Sequence, residues 1–220
     1  MMDISLFAHE IWVAKGAIWS GFQMTVAISS LAIALGTILG IFVGLALVYA
    51  WLPVRIIVRI YVDFIRGTPV LVLVLASFYI LSIIGIQLNA FQAGVLAITV
   101  FCSTHVGEMV RGALAAIHRG QTEAAMAIGL TFRQIFLYVL MPQALRQILP
   151  TWVNAATEMV KASTLLSIIG VTELLLATQQ IISRNFLSLE FYFLAGFIYF
   201  VIDFSIERLG RYVERKVAYS

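Results

Sequence analysis

Along the chain, long uncharged apolar runs alternate with short stretches that hold most of the arginines. From Phe22 to Ala50 no charged residue occurs, which exceeds the ~20 residues a helix needs to cross the hydrocarbon of a bilayer. Trp51 to Arg66 breaks the run with Pro53, Arg55, Arg59 and Arg66. Leu71 to Ile86 is uncharged again and reaches span length when extended back to Gly67, with Pro69 tolerated near the helix start. After a turn at Gln87-Leu88-Asn89, Ala90 to Gly107 is a third span, continuing as helix through Glu108, Arg111 and Ala116. Trp152 to Leu176 is a fourth. Leu176 to Glu190 reads as an outer loop, and Phe191 to Ile206 is the fifth span, with Asp203 near its inner end. The pattern predicts an all-α membrane protein with five transmembrane helices. Met1 to Ser20 is mixed; Ile4, Leu6, Phe7, Ile11, Trp12 and Trp19 predict a short interfacial helix with tryptophan at headgroup depth.

The stretch from Gly120 to Pro150 stands apart. Arg119, Glu123, Arg133 and Arg146 are spaced too closely to leave a clean span, so it is expected in water at the membrane surface. Glu, Ala, Met, Leu and Gln make it helical. Gly129 stands where one helix ends and the chain turns, and Thr131 where an N-cap opens a second. A pair of short surface helices between two spans suggests a docking element; the plainer alternative is an amphipathic interfacial helix with no partner. In the first span, Gly36, Gly40 and Gly44 recur every fourth residue and form a smooth ridge for close approach of another helix.

Composition agrees with the pattern. The 220 residues are 62% hydrophobic and 11% charged, against about 25% charged in soluble domains, and the mean hydropathy is +1.01. The net charge of +3 does not indicate nucleic acid, because the basic residues are scattered at segment ends. They orient the chain instead. With Met1 outside, five spans place inside Arg55, Arg59 and Arg66, then Arg119, Arg133 and Arg146, then the tail of Arg208, Arg211, Arg215 and Lys216. Only Lys15 and Arg184 stay outside, as the cytoplasmic excess of basic residues requires. The N-terminus is thus expected outside and the C-terminus in the cytoplasm. No cleavable signal peptide is expected, since Asp3 and Glu10 fall early and no basic region precedes a short apolar core. The single Cys102 excludes an intramolecular disulfide and reads as a small buried hydrophobe.

The fourth span carries the candidate chemistry. Asn154, Glu158 and Lys161, at i, i+4 and i+7, share one helical stripe that Leu165 continues, with Ser163, Thr164 and Ser167 nearby. An ionisable residue within a span costs ~3 kcal/mol on insertion scales, so it faces the bundle interior or a water-filled path, usually with a partner. Glu158 and Lys161 can neutralise each other as an internal pair, or line a path with both charge signs, which suits a zwitterion. Glu108 and Arg111, three apart, are expected to pair near the cytoplasmic end of the third span. His118 has no companions at metal-ligand spacing and reads as a surface residue.

Glu123-Ala124-Ala125, Gly129 after three intervening residues, then Leu149-Pro150 resemble the EAA loop of permease subunits of bacterial ABC importers. Arg66-Gly67-Thr68-Pro69 and the run from Gly107 to Gln121 resemble the polar amino acid permeases (histidine, glutamine and arginine type) in that family. The resemblance implies a single ABC transporter transmembrane domain over residues 1–220. It would have an interfacial segment near 1–20 and a cytoplasmic coupling loop at 120–150. It further implies that Glu123, Ala124, Ala125, Gly129, Leu149 and Pro150 couple to a separate ATPase subunit that binds ATP and Mg. A second permease chain and an extracytoplasmic amino-acid-binding protein would complete the complex, in the bacterial inner membrane. Thr68, Asn154, Glu158, Lys161, Ser163, Thr164 and Ser167 would line the substrate path. Family members commonly carry Lys-Asp-Thr-Ser-Leu followed by Gly-Val-x-Glu-Leu; this chain has Lys161-Ala162-Ser163-Thr164-Leu165 and Gly170-Val171-Thr172-Glu173-Leu174. Ala162 replaces an aspartate that can meet a cationic substrate, which puts cationic specificity through that contact in doubt.

No Gly-x-x-x-x-Gly-Lys-Ser/Thr phosphate loop occurs, and His9, His105 and His118 are scattered. The chain is expected to have no catalytic group, metal or cofactor of its own. A small secondary transporter and a membrane scaffold without transport are the rival classes; proton- or sodium-coupled uptake by the chain alone marks the first, absence of an ATPase partner the second.

Overall fold

A computed structural model describes residues 4–218, and within them the chain is helices joined by short turns, with no strand. Helix α1 runs unbroken from Ile4 to Tyr49; its 46 residues extend about 69 Å at 1.5 Å per residue, far beyond the hydrocarbon thickness. From Ile4 on, the stretch expected as a separate interfacial helix over residues 1–20 is the first part of α1, and residues 1–3 lie outside the described residues. No breaker interrupts α1, and Phe7, Ile11, Ala14 and Ile18 pack against Ile181, Ile182 and Phe191 further along the chain.

Helix α2, Leu52–Gly67, occupies the stretch read as a simple break between spans. Pro53 sits in its first turn, where the missing N–H costs nothing. The helix is amphipathic: Val62 and Ile65 are buried, Ile56, Ile57, Ile60 and Phe64 are exposed, and the arginines lie off that apolar face. It meets α3, Val70–Ile83, at 108° across the extended Thr68-Pro69 corner. Helix α3 contains a π turn at Ala76–Ile80 and alone is too short to cross ~30 Å of hydrocarbon. Helix α4, Ala90–Ala116, is opened by Asn89, whose side chain accepts from the Gln92 amide at 2.9 Å while Gln92 accepts from the Asn89 amide at 3.1 Å.

The core forms where α1 lies along α4. Gly36, Gly40 and Gly44 face Cys102, Val106 and Val110, so the ridge and its complement climb the two helices in step. Cys102 is buried there, as expected. After α5, Arg119–Ala127, comes one long helix, α6, Phe132–Ile169. It includes a π turn at Phe136–Leu140, Pro150 in its interior and a 3₁₀ end at Ser163–Ile169. The second member of the expected surface pair is thus the start of a helix that runs on past Pro150 into the fourth span, because the helix tolerates the proline.

The fourth span is broken where continuous apolar composition predicted none. Gly170 takes φ +84° and ends α6. Glu173 opens α7, Leu174–Asn185, by accepting from the amides of Leu175 and Leu176 at 2.9 and 2.8 Å. Most of the outer loop expected over Leu176 to Glu190 is therefore helix, bent 52° from α6. Helix α8, Ser188–Ala218, packs on α6 and α7. Among the described residues three helices are long and apolar enough to span a membrane, or up to five if each bent pair is one span.

Candidate functional site

Two regions collect the singled-out residues. The first is the elbow between α4 and α6. His118 is exposed and its Nδ1 accepts from the Gly120 amide at 3.1 Å, so this surface residue caps α5. The helix ends at Gly129, φ +83°, where the Leu130 amide returns to the Ala125 carbonyl at 3.1 Å. Glycine adopts this left-handed geometry without the cost a Cβ brings. Thr131 then donates its amide and hydroxyl to Gln134 Oε1 at 2.8 and 2.9 Å, starting α6. Ala125, Ile135 and Leu140 bury one another in a small core with Ile117 and Leu130. The elbow is thus a compact unit. Glu123, Ala124, Met126, Ile128 and Gly129 all face outward from it. Leu149 and Pro150 lie about four turns further along α6, away from this outer surface.

The second region is the outer stripe of α6. Asn154, Glu158 and Lys161 are exposed on one side of a helix whose Val153, Ala156, Thr157 and Val160 are buried. Of the two readings of Glu158 and Lys161, the structure does not form the internal pair: Lys161 Nζ reaches Asp203 of α8 at 3.2 Å. That partner lies 42 residues away in sequence, beyond any helical-spacing argument. Glu158 is left facing outward with Asn154. Ser163 does not share the stripe; it is buried, and its hydroxyl donates to the Val160 carbonyl at 2.7 Å. Thr164 and Ser167 also donate to backbone carbonyls of α6, those of Lys161 and Thr164. Thr68, at the α2–α3 corner, donates to Phe64 O at 2.7 Å.

Three sets of polar contacts between distant residues went unrecognised in the sequence. Glu173, fully buried, accepts the Tyr199 hydroxyl at 2.5 Å besides its two amides, and the Leu174 amide reaches Thr25 Oγ1 at 3.1 Å. The signal was present, since a glycine followed three residues later by an acid ahead of a leucine run is a stop and a cap. Trp152 Nε1 donates to Thr37 Oγ1 at 2.8 Å, tying α6 to α1. Glu108 pairs with Arg111 at 2.7 Å, as expected, but also with Arg59 of α2 at 2.9 Å, and Arg66 stands 4.0 Å away. One carboxylate thereby fixes α2 across α4. Among the described residues no group of His, Cys, Asp and Glu has metal-site geometry.

The pattern of the "Binding-protein-dependent transport system inner membrane component" family matches residues 36–219. The glutamine transport system permease protein GlnP of Escherichia coli (strain K12) is 32% identical over 209 residues, 94% of this chain and 95% of that one. The arginine transport system permease protein ArtQ of Bacillus subtilis (strain 168) is 32% identical over 201 residues, covering 91% and 92%. A solved structure described as an amino acid ABC transporter with histidines superposes with a TM-score of 0.87 at 31% identity, over 98% of this chain and 99% of that one.

Proposed function

The chain belongs to the family of binding-protein-dependent transport system inner membrane components, and from that premise we propose how it works as the multi-pass permease subunit of an ABC importer for polar amino acids. The elbow is the observation that carries the reading. An apolar membrane chain presents one compact, doubly capped, outward-facing unit built from Glu123 to Thr131, which is what a separate ATPase subunit needs to grip.

The chain is one transmembrane domain of five spans, with α2–α3 and α6–α7 each counted once. The N-terminus faces outside and the C-terminus the cytoplasm, the orientation that puts most arginines inside and the elbow on the side where ATP is. ATP and Mg bind to the partner ATPase. Glu123, Ala124 and Gly129 form the docking surface, Ala125 anchors it from the elbow's core, and Leu149 and Pro150 relay its movement along α6. A second permease chain completes the path, and an extracytoplasmic binding protein delivers the amino acid. The outer stripe of Asn154, Glu158 and Lys161, with Thr164, Ser167 and Thr68, faces that path; it offers both charge signs to a zwitterion. Ser163 packs behind it. ATP binds the closed ATPase dimer more tightly than the open one, and only such a difference in affinity switches the side to which the bundle opens.

The test is purification of the intact complex, followed by ATP-driven uptake of labelled polar amino acids into proteoliposomes. ATPase and binding-protein subunits are expected to accompany the chain, and Glu158→Ala or Lys161→Ala should change the apparent affinity or rate. Uptake by this chain alone, driven by a proton or sodium gradient, would replace the reading with a secondary transporter.

A further inference from the structure

One contact and one cavity lie between the elbow and α1. Tyr49, the last residue of α1, meets two rings at the start of α6. Phe132 lies 5.4 Å away at 82° and Phe136 6.0 Å away at 83°, both edge to face. Toward the membrane the two helices part. A half-open cavity of about 250 Å³ lies between them, floored by Val106 and Val110 of α4 and walled by Ile41 and Leu45 on α1 and by Met141, Ala144 and Leu145 on α6. At its far end Trp152 rejoins α1 through Thr37 at 2.8 Å. The α6 segment beside the cavity is bounded by two interruptions of its hydrogen-bond ladder, the π turn at Phe136–Leu140 and Pro150. Such interruptions are where helices bend.

We propose that Tyr49 is a positioning residue for coupling: its ring hands the displacement of the elbow to the end of α1, and the cavity is the free volume into which the Met141–Leu149 arm swings. A packed interface would resist this movement, because protein interiors are close-packed and transmit strain as discrete rearrangements. Here the arm meets α1 at both ends, rests on α4, and leaves a gap toward α1 between them. Two rings in edge contact keep the push aligned with α1, while the void lets α6 approach without expelling a side chain. The elbow itself stays rigid on its own small core. The inference rests on the coupling role proposed for the elbow.

The experiment uses the reconstituted complex with its ATPase and binding protein, and reads molecules imported per ATP hydrolysed. Tyr49→Ala should lower that ratio at least about five-fold, the lower range of measured coupling effects, while the ATPase subunit still co-purifies and basal hydrolysis is unchanged. Tyr49→Phe keeps the ring and should behave as wild type. Ala144→Leu fills the cavity; it should lower uptake per ATP while leaving the melting temperature equal or higher, which a purely structural void would not do. Wild-type stoichiometry in Tyr49→Ala, or in Ala144→Leu should the first variant fail to assemble, overturns the proposal. Failure of the underlying coupling role looks different: Ala124→Cys, in a chain with Tyr49 intact, would then not cross-link to the ATPase subunit.

Discussion

The contact of α1 with α4 permits a graded test in which the same chemical change has different signs. At Gly40 an added Cβ would stand 2.5 Å from Val106 Cβ and 2.8 Å from the Ser103 carbonyl oxygen. Neither atom is the end of a rotatable side chain, so the helices must separate. Overpacking of this kind costs about 1–3 kcal/mol, and fixed neighbours place Gly40→Ala at the upper end. Against this stands the backbone gain of replacing glycine in a helix, roughly 0.5–1 kcal/mol. The net is a destabilisation of about 2 kcal/mol, and at about 2–4 °C per kcal/mol for a chain of this size the melting temperature falls by about 4–8 °C. Gly16, on the same helix, has nothing within 4 Å of the added atom, so Gly16→Ala keeps only the gain and should melt at or slightly above wild type. Gly94 lies between them, since its Cβ would meet the Leu166 side chain at 2.6 Å, beginning with a terminal methyl. The assay is thermal unfolding of the three variants purified in one detergent. Equal melting of Gly40→Ala and Gly16→Ala would refute the claim that the ridge works by close approach.

Other substitutions test the polar contacts. Glu173→Ala removes the acceptor for two amides and for Tyr199, and should cost about 2–4 kcal/mol from the lost cap and the stranded donors. Glu173→Gln should lose less, with the difference visible as faster hydrogen exchange at Leu175 and Leu176 in the alanine variant. A double-mutant cycle of Lys161→Ala and Asp203→Asn should give a coupling of about 1 kcal/mol, because Lys161 is largely solvent-facing; a value near zero would mean the ion pair does not hold α6 to α8. Gly129→Asp places a side chain at φ +83° and should separate ATP hydrolysis from uptake while the protein still inserts. Unchanged uptake in vesicles would count against the docking role of the elbow.

The features legible in the sequence are local ones. Uncharged runs located the apolar helices, the four-residue glycine spacing identified the α1 ridge, and Gly129 with Thr131 punctuated the elbow correctly. Features set by tertiary partners were not legible. Lys161 finds Asp203 across 42 residues of chain, and no rule of helical spacing reaches that far. The first turns of α1 read as interfacial because tryptophans and charges dilute their apolar character; packing on α7 and α8 carries the helix on. Two misreadings left a usable signal. Ile56, Ile57, Ile60 and Phe64 form an apolar face at helical spacing, but Pro53 and the arginines drew the reading toward a break. Gly170 and Glu173 held a stop and a cap inside a run that hydropathy alone makes continuous.

These misread places share a physical character. Each is a point where a span is interrupted and its freed backbone groups are satisfied from within the protein, as lipid offers them no partner. The α6–α7 break is closed by Glu173 and steadied by Tyr199 and Thr25. The α2–α3 corner is steadied by the Thr68 hydroxyl on Phe64 O, and α2 itself by the Arg59–Glu108 pair. A chain that only had to cross the membrane would gain nothing from such interruptions, and hydrogen-bonding each one consumes polar side chains in an apolar sequence. They do make sense in a machine that must be stiff where it is pushed and jointed where it turns. The elbow has its own core, which closes on Leu140 in the π turn, and caps at both ends, whereas α6 beyond it carries an internal proline and a 3₁₀ end in succession. If this division is correct, hydrogen exchange in the assembled complex should be slow and insensitive to ATP at Ala125, Ile135 and Leu140, and should change on ATP binding between Met141 and Ile169. The opposite distribution, a pliant elbow and an unresponsive α6, would leave the push from the ATPase with nothing to carry it.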